Sequence, residues 1–191
     1  RSKTGRYDVA LSNINATPAR AKIIDFVSYY DASRLGIISR KDANVAPFKT
    51  LDEVCGKEVG AGSGTTQVTR LEEASKACEA AGKKPIKVSV FPDRPAGVQA
   101  VVSGRVPMFL GPYEGLLWQV KVIKPLTMSG EITVHDAPVS VAFPKDSALE
   151  PAVQAALNSL IKDGSYQKIL DNWGIGFGAV KESKRNQDIF Q

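Results

Sequence analysis

Two stretches of this chain carry residue types suited to holding an anion. The first is Thr17-Pro18-Ala19-Arg20. Thr is a good helix N-cap, and Pro at the first helical position loses no needed N–H, so Arg20 falls in the first turn of a predicted helix. The helix dipole opposes a cation there. A bound anion would offset that cost, and a planar guanidinium can grip a carboxylate through two parallel hydrogen bonds. A solvated surface arginine is the simpler alternative, and the local sequence leaves both open. The second stretch is Gly60-Ala61-Gly62-Ser63-Gly64-Thr65-Thr66. It lacks the lysine of a Walker A loop, and Thr65 stands where a dinucleotide loop has its third glycine, which argues against a nucleotide site. A glycine-rich turn before a helix still exposes unpaired N–H groups and a partial positive charge, which suit a carboxylate as well as a phosphate. A plain helix cap fits the same residues.

Other reactive side chains form no constellation. The single histidine, His135, stands between Val134 and Asp136 with no cysteine or second histidine nearby. That supplies neither a zinc ligand set nor an oriented nucleophile–base pair, so it reads as a surface or strand-end residue. Cys55 and Cys78 are too far apart for a CxxC motif. They are either a structural disulfide of an exported protein or two reduced, buried thiols. A bridge over that span would stabilise by about 3 kcal/mol. Among the aromatic residues Tyr30 is the first candidate for a cleft, followed by Tyr29 and Tyr113. Trp118 falls inside a predicted helix and reads as core.

The elements that must position these residues come from an ordinary globular composition. The chain has 191 residues, 43% hydrophobic and 24% charged, with a formal net charge of +5. No apolar run approaches the ~18 residues of a membrane span. The opening Arg1-Ser2-Lys3-Thr4-Gly5-Arg6 has no signal-peptide apolar core, as expected of a mature or trimmed chain. Lys and Arg are scattered with no block of five, which argues against a nucleic-acid footprint.

Strands are expected over 6–11, 35–39, 57–61, 86–91, 106–110 and 138–143. Thr50-Leu51-Asp52-Glu53 and Ser147-Ala148-Leu149-Glu150 match capping boxes, the second with Pro151 in the first helical turn. Val68, Leu71, Ala74, Cys78 and Ala81 share one helix face, ended by Gly82. Asp93 can cap a helix over 94–103 that stops at Gly104, and another helix spans 113–120. Val153, Ala156, Leu157, Leu160 and Ile161 line a further helix. Ser165 can cap a last one over 166–173, closed by Gly174. This alternation predicts an α/β fold with a largely parallel sheet. The strands near 36–41 and 138–143 enter and leave the middle unit and are candidate hinges between two lobes.

Four groups of residues then resemble a known family. Gly5-Arg6-Tyr7-Asp8-Val9-Ala10 with Thr17-Pro18-Ala19-Arg20 and Asp25-Phe26 is the first. Gly64-Thr65-Thr66-Gln67, then Val102-Ser103-Gly104-Arg105-Val106, then Asp163-Gly164-Ser165-Tyr166 with Ile169-Leu170 and Trp173-Gly174 complete the set. In this order they resemble type 2 periplasmic solute-binding proteins, in the branch of polar amino-acid-binding components of ABC importers. The resemblance implies a bilobed clamshell of two small α/β sandwich lobes joined by hinge strands. Residues 1–40 and 138–191 would form lobe 1, and 41–137 lobe 2. It implies no cofactor, no metal and no catalysis. The partners it implies are a small carboxylate-bearing ligand, such as an amino acid or derivative, and an ABC permease. The implied location is periplasmic or extracellular and membrane-associated, in a bacterium.

By the same resemblance Arg20 clamps the ligand α-carboxylate, Asn13, Asn15, Thr65 and Thr66 assist, and Tyr30 packs the ligand body. The family's acid for the ligand ammonium is replaced by Pro112, and an earlier acid by Pro107. Either Glu114 takes over this role from the start of its helix, or the ligand lacks a standard α-amino group. The resemblance also implies that lobe 1 here lacks two leading βα units, which would leave an open sheet edge prone to association. It favours the Cys55–Cys78 bridge, since both residues fall in adjacent elements of one lobe. Two other readings use the same fold: a dehydratase-type enzyme, and the ligand-binding module of a membrane sensor or receptor.

Overall fold

Three strand–helix units in succession carry the middle of the chain. They are β4 (Glu58–Gly62) with α2 (Thr66–Ala80), β5 (Lys87–Phe91) with α3 (Arg94–Val102), and β6 (Met108–Pro112) with α4 (Tyr113–Val122). They belong to a computed structural model that describes residues 7–31, 34–134 and 137–190. The chain divides into two units, Arg1–Ser33 with His135–Gln191, and Arg34–Val134. His135 lies outside the described residues, as do Arg6 of the expected first strand and Gly5 of the resemblance motif.

The second unit is built on a five-stranded sheet in the order β5-β4-β6-β3-β7, where β3 is Arg34–Arg40 and β7 is Leu126–Thr133. Strands β5, β4 and β6 run parallel, as βα alternation requires. The expectation of a largely parallel sheet is corrected at β3 and β7, which pair antiparallel with their neighbours. Arg34 lies opposite Thr133, so the chain enters and leaves this sheet at one end. Both edges of β3 are hydrogen-bonded within this sheet. The division therefore falls before β3, at residue 33 rather than near 40.

Side chains alternate across the sheet with period 2. Leu35, Ile37, Val59 and Leu110 pack with Leu71 and Cys78 of α2. Ile38 and Phe109 pack on the other face with Val98 and Val101 of α3 and Leu116 of α4. Gly82 and Gly104 end α2 and α3 at φ 71° and 73°, a left-handed turn that other residues resist. Trp118 is not core as expected. It is 46% exposed, because Leu116 and Val120 face the sheet instead.

The first unit has a three-stranded antiparallel sheet, β1-β8-β2, from Ala10–Asn15, Val139–Pro144 and Ile24–Tyr30. Thr17 and Pro18 start α1 (Pro18–Ala21) as the cap pattern predicts. Helix α5 (Glu150–Lys162) lays Val153 and Leu157 on Val27, Val141 and Phe143. Ala156 and Leu160, expected on this face, point outward. Helix α6 (Ser165–Asn172) packs Tyr166 and Leu170 on Tyr30 and Val139. Two expected caps differ. Leu149, not Ser147, precedes α5. Ser165 is the first residue of α6, and its N–H donates to Asp163 Oδ1 at 2.8 Å. Helix α7 (Asn186–Ile189) closes the chain's described part, and Asn186 bonds both the N–H of Phe26 and the carboxylate of Asp25. Strand β1 is the sheet edge, and an apolar cavity of about 430 Å³ opens beside it between Tyr7, Val9, Ile14, Ile24 and Phe143. Among the described residues no helix is long and apolar enough to cross a membrane.

Candidate functional site

On the first unit the candidate residues gather around Arg20. Thr17 Oγ1 accepts the N–H of Arg20 at 3.3 Å, which fixes the turn. Arg20 Nη1 donates to the carbonyl of Asn15 at 2.9 Å, so the guanidinium is held over the end of β1. Helix α1 has only four residues, so Arg20 sits in its last turn as well as its first. The dipole argument therefore loses most of its force, and the anchoring bond to Asn15 replaces it as the reason the side chain is ordered. Asn15 is buried, and its Nδ2 donates to the carbonyl of Ala137 at 2.9 Å. Its role is to position Arg20 through its backbone, with its side chain spent on the approach to β8. Asn13 lies two residues back on the same strand and is exposed.

Tyr30 belongs elsewhere. It is 4% exposed, its hydroxyl donates to the carbonyl of Ile175 at 3.1 Å, and its ring meets Phe177 edge-on. It packs in the interior of the first unit with Val139, Tyr166 and Leu170. Tyr29 donates to the carbonyl of Ser12 at 2.7 Å. Burial, and then Tyr166, push its phenol up to about 12.

On the second unit the C-terminal ends of β4, β5 and β6 point three helix N-termini toward one edge of the sheet. Thr65 occupies the N-cap of α2, yet its hydroxyl donates to the carbonyl of Gly62 at 2.7 Å and caps nothing. The first N–H groups of a 15-residue helix are therefore left without a side-chain cap. Thr66 Oγ1 is buried beside them with no hydrogen-bond partner among the described residues. A carboxylate oxygen can accept from such donors. Helix α3 is capped by Asp93, whose Oδ1 accepts the N–H of Ala96 at 2.8 Å. Glu114 sits in the first turn of α4 with both carboxylate oxygens shielded from solvent.

Three charged residues here escaped the sequence reading. Arg94, at the first position of α3, reaches α4 with its guanidinium, and burial pushes it below its ordinary value while Glu114 works in the other direction. Arg34 and Glu131 form an ion pair at 2.6 Å across β3 and β7. Tyr113 next to this pair is raised by burial and by Glu131. Arg94 was legible in principle. It is a cation in the first turn of a helix that follows a strand, the same signal that singled out Arg20.

Cys55 and Cys78 are bridged, with Cα atoms 5.7 Å apart. The bond ties the end of the 3-10 turn Leu51–Val54 to α2, and so holds the helix that presents Thr65 and Thr66.

Known proteins resemble the chain over most of its length. An arginine-binding protein of Corynebacterium glutamicum is 26% identical over 188 residues, covering 97% of this chain and 60% of its own length. The L-cystine-binding protein of Escherichia coli is 27% identical over 176 residues, covering 91% of this chain and 61% of its own. The chain thus spans about three-fifths of the length of these curated relatives. An ancestral arginine-binding protein bound to arginine superposes with a TM-score of 0.72 at 28% identity, over 90% of this chain and 73% of that one. The fold is that of the type 2 amino-acid-binding proteins. The family match itself runs over residues 1–176, through both anion-seeking stretches, and the protein accordingly belongs to the bacterial extracellular solute-binding proteins, family 3.

Proposed function

We propose that the protein is the extracytoplasmic solute-binding component of an ABC importer, and that it captures an amino acid or a related small carboxylate. The observation that carries this reading is Arg20, held in place by the carbonyl of Asn15 and presented beside a helix cap. The uncapped start of α2, with the buried hydroxyl of Thr66, supports a second carboxylate contact. Glu114 is the acid that meets a cationic nitrogen on the ligand, in place of the acid absent at Pro112. Relatives named for arginine and cystine support an amino-acid ligand. The disulfide supports an oxidising location outside the cytoplasm. Transport rather than turnover is the role, in line with relatives named as arginine- and cystine-binding proteins.

Mass spectrometry of small molecules released from the purified protein tests this, together with a thermal-shift screen of amino acids and organic acids. An amino acid or carboxylate that co-purifies and raises Tm on re-addition is the expected result. Conversion of a screened ligand into a product would replace this reading with an enzymatic one.

A further inference from the structure

Strand β2 stands at the opposite edge of its sheet from β1, and only β8 pairs with it as a full strand. In an antiparallel pair the N–H groups alternate between the partner strand and the outer side. Phe26, Ser28 and, just past the strand, Asp31 turn theirs outward, and residues of the chain's last described stretch take all three. The N–H of Phe26 donates to Asn186 Oδ1 at 3.0 Å, that of Ser28 to the carbonyl of Lys184 at 2.8 Å, and that of Asp31 to the carbonyl of Gly178 at 2.8 Å. Carbonyls on this side are met as well. Ser183 Oγ donates to the carbonyl of Ser28 at 2.6 Å. The Tyr166 hydroxyl donates to the carbonyl of Tyr29 at 2.7 Å and accepts the N–H of Val180 at 3.0 Å. Helix α5 anchors the stretch from its other side. The N–H of the fully buried Ser183 donates to Asn158 Oδ1 at 2.8 Å, and Gln154 Nε2 donates to its carbonyl at 2.9 Å. Gln154 and Asn158 lie one turn apart on α5, so one helix face holds both backbone groups of a single residue. The family match ends at residue 176, and this stretch lies past it.

We propose that residues 178–186 are a strap that keeps the β2 edge from pairing with a second copy of this chain. An edge strand with free N–H and C=O groups is a template for another strand. Two uncovered copies present identical edges, and antiparallel pairing of β2 with β2 about a two-fold axis satisfies both. The strap competes with that pairing from within the same chain, at an effective concentration that a second molecule in dilute solution does not reach. It makes only one ladder bridge, between Val27 and Arg185, and otherwise uses side chains and isolated carbonyls. It therefore fills the edge without adding a regular strand whose own outer side would be the next template.

The test is amide hydrogen exchange read by NMR on the full chain, with sedimentation velocity on the same samples. Ser183→Ala with Asn186→Ala removes the side-chain anchors of the strap. Lys184→Pro is the milder variant and removes one backbone donor, the N–H that Ser28 Oγ accepts at 2.9 Å. In dilute solution each speeds exchange at Phe26 and Ser28 about tenfold, while Val27, whose N–H faces β8 by the alternation, changes little. At high concentration a dimer forms and the protection of Phe26 and Ser28 returns. Lys184→Ala keeps the backbone bonds of the strap and behaves as the wild type. Unchanged exchange at Phe26 and Ser28 overturns the proposal, as does a chain with an exposed edge that stays monomeric at high concentration. A dimer in which those two amides remain unprotected overturns it too, since the copies then meet elsewhere. Equal acceleration at Val27 in both variants has the same consequence, because the stretch is then part of the core and not a strap on its edge.

Discussion

The Cys55–Cys78 bridge allows the most quantitative forecast. The perturbation is Cys55→Ala with Cys78→Ala, compared with wild-type protein reduced by dithiothreitol. The bridge spans a sequence separation of 23, and a loop of that size removes about 3 kcal/mol of unfolded-chain freedom. Cys78 is 2% exposed and packs from α2 into the core cluster, so truncating both sulfurs adds about 1 kcal/mol for lost contacts. Reduction alone removes the tether and keeps the sulfurs. The double variant should therefore lie slightly below the reduced wild type. The assay is urea unfolding followed by tryptophan fluorescence. The chain has two tryptophans, one in each unit. Trp173 is 63% exposed, so Trp173→Phe is mild and leaves Trp118 to report on the unit that holds the bridge. With an m-value of about 1–3 kcal/mol/M, the midpoint should fall by about 1–3 M. The transition reported in a variant that keeps only Trp173 should move much less. A fall below about 0.5 M on both reduction and substitution would refute the reasoning, since the tether then constrains little of the unfolded chain.

Four further outcomes are expected. Arg20→Ala weakens binding of the co-purifying ligand by more than about 2 kcal/mol, because a desolvated carboxylate loses its charged partner. Unchanged affinity by calorimetry removes Arg20 from the site. Glu114→Gln weakens ligands with a cationic nitrogen and spares neutral carboxylates, and equal effects on the two classes sink that role. Gly178→Ala places a carbon 2.1 Å from Tyr30 Cζ and costs about 1–3 kcal/mol of overpacking, and a Tm equal to the wild type would show that the ring yields freely. Burial, with Asp25 beside it, pushes the Glu150 carboxyl up. A raised folded value gives stability that is fully present below the unfolded value and is lost as pH rises through the folded one. The wild type therefore loses stability relative to Glu150→Gln on going from acid pH toward neutral, and a difference that stays constant with pH in denaturant titrations contradicts this.

Much of the second unit was legible in the residues. The helix face from Val68 to Cys78, the Asp93 cap and the stops at Gly82 and Gly104 are local signals, set by backbone preference and periodicity within a turn or two. Strands β2 and β7 left weaker marks. Asp25 and Ser28 interrupt β2, and Ser129, Gly130 and Glu131 interrupt β7. These polar groups are acceptable because distant partners satisfy them. Asp25 takes hydrogen bonds from Lys145, Asp146 and Asn186, and Ser129 pairs with Ser39. A partner some 120 residues away leaves no trace in a local window.

The sequence by itself determined the alternation of strand and helix, the Thr17–Pro18 turn that carries Arg20, and the glycine-rich entry to α2. Each follows from residues within a few positions of one another. Tertiary structure alone decided the rest. The burial of Tyr30 is one such outcome, because Ile175 and Phe177 reach it from the far end of the chain. Sheet direction at β3 and β7 was decided by where the chain must enter and leave. Arg94 reaches Gly115 of α4 because three parallel strands end together, so that a side chain from one helix can cross to the bare backbone of another. Local chemistry chooses elements, but which charges meet depends on contacts between residues far apart in the chain.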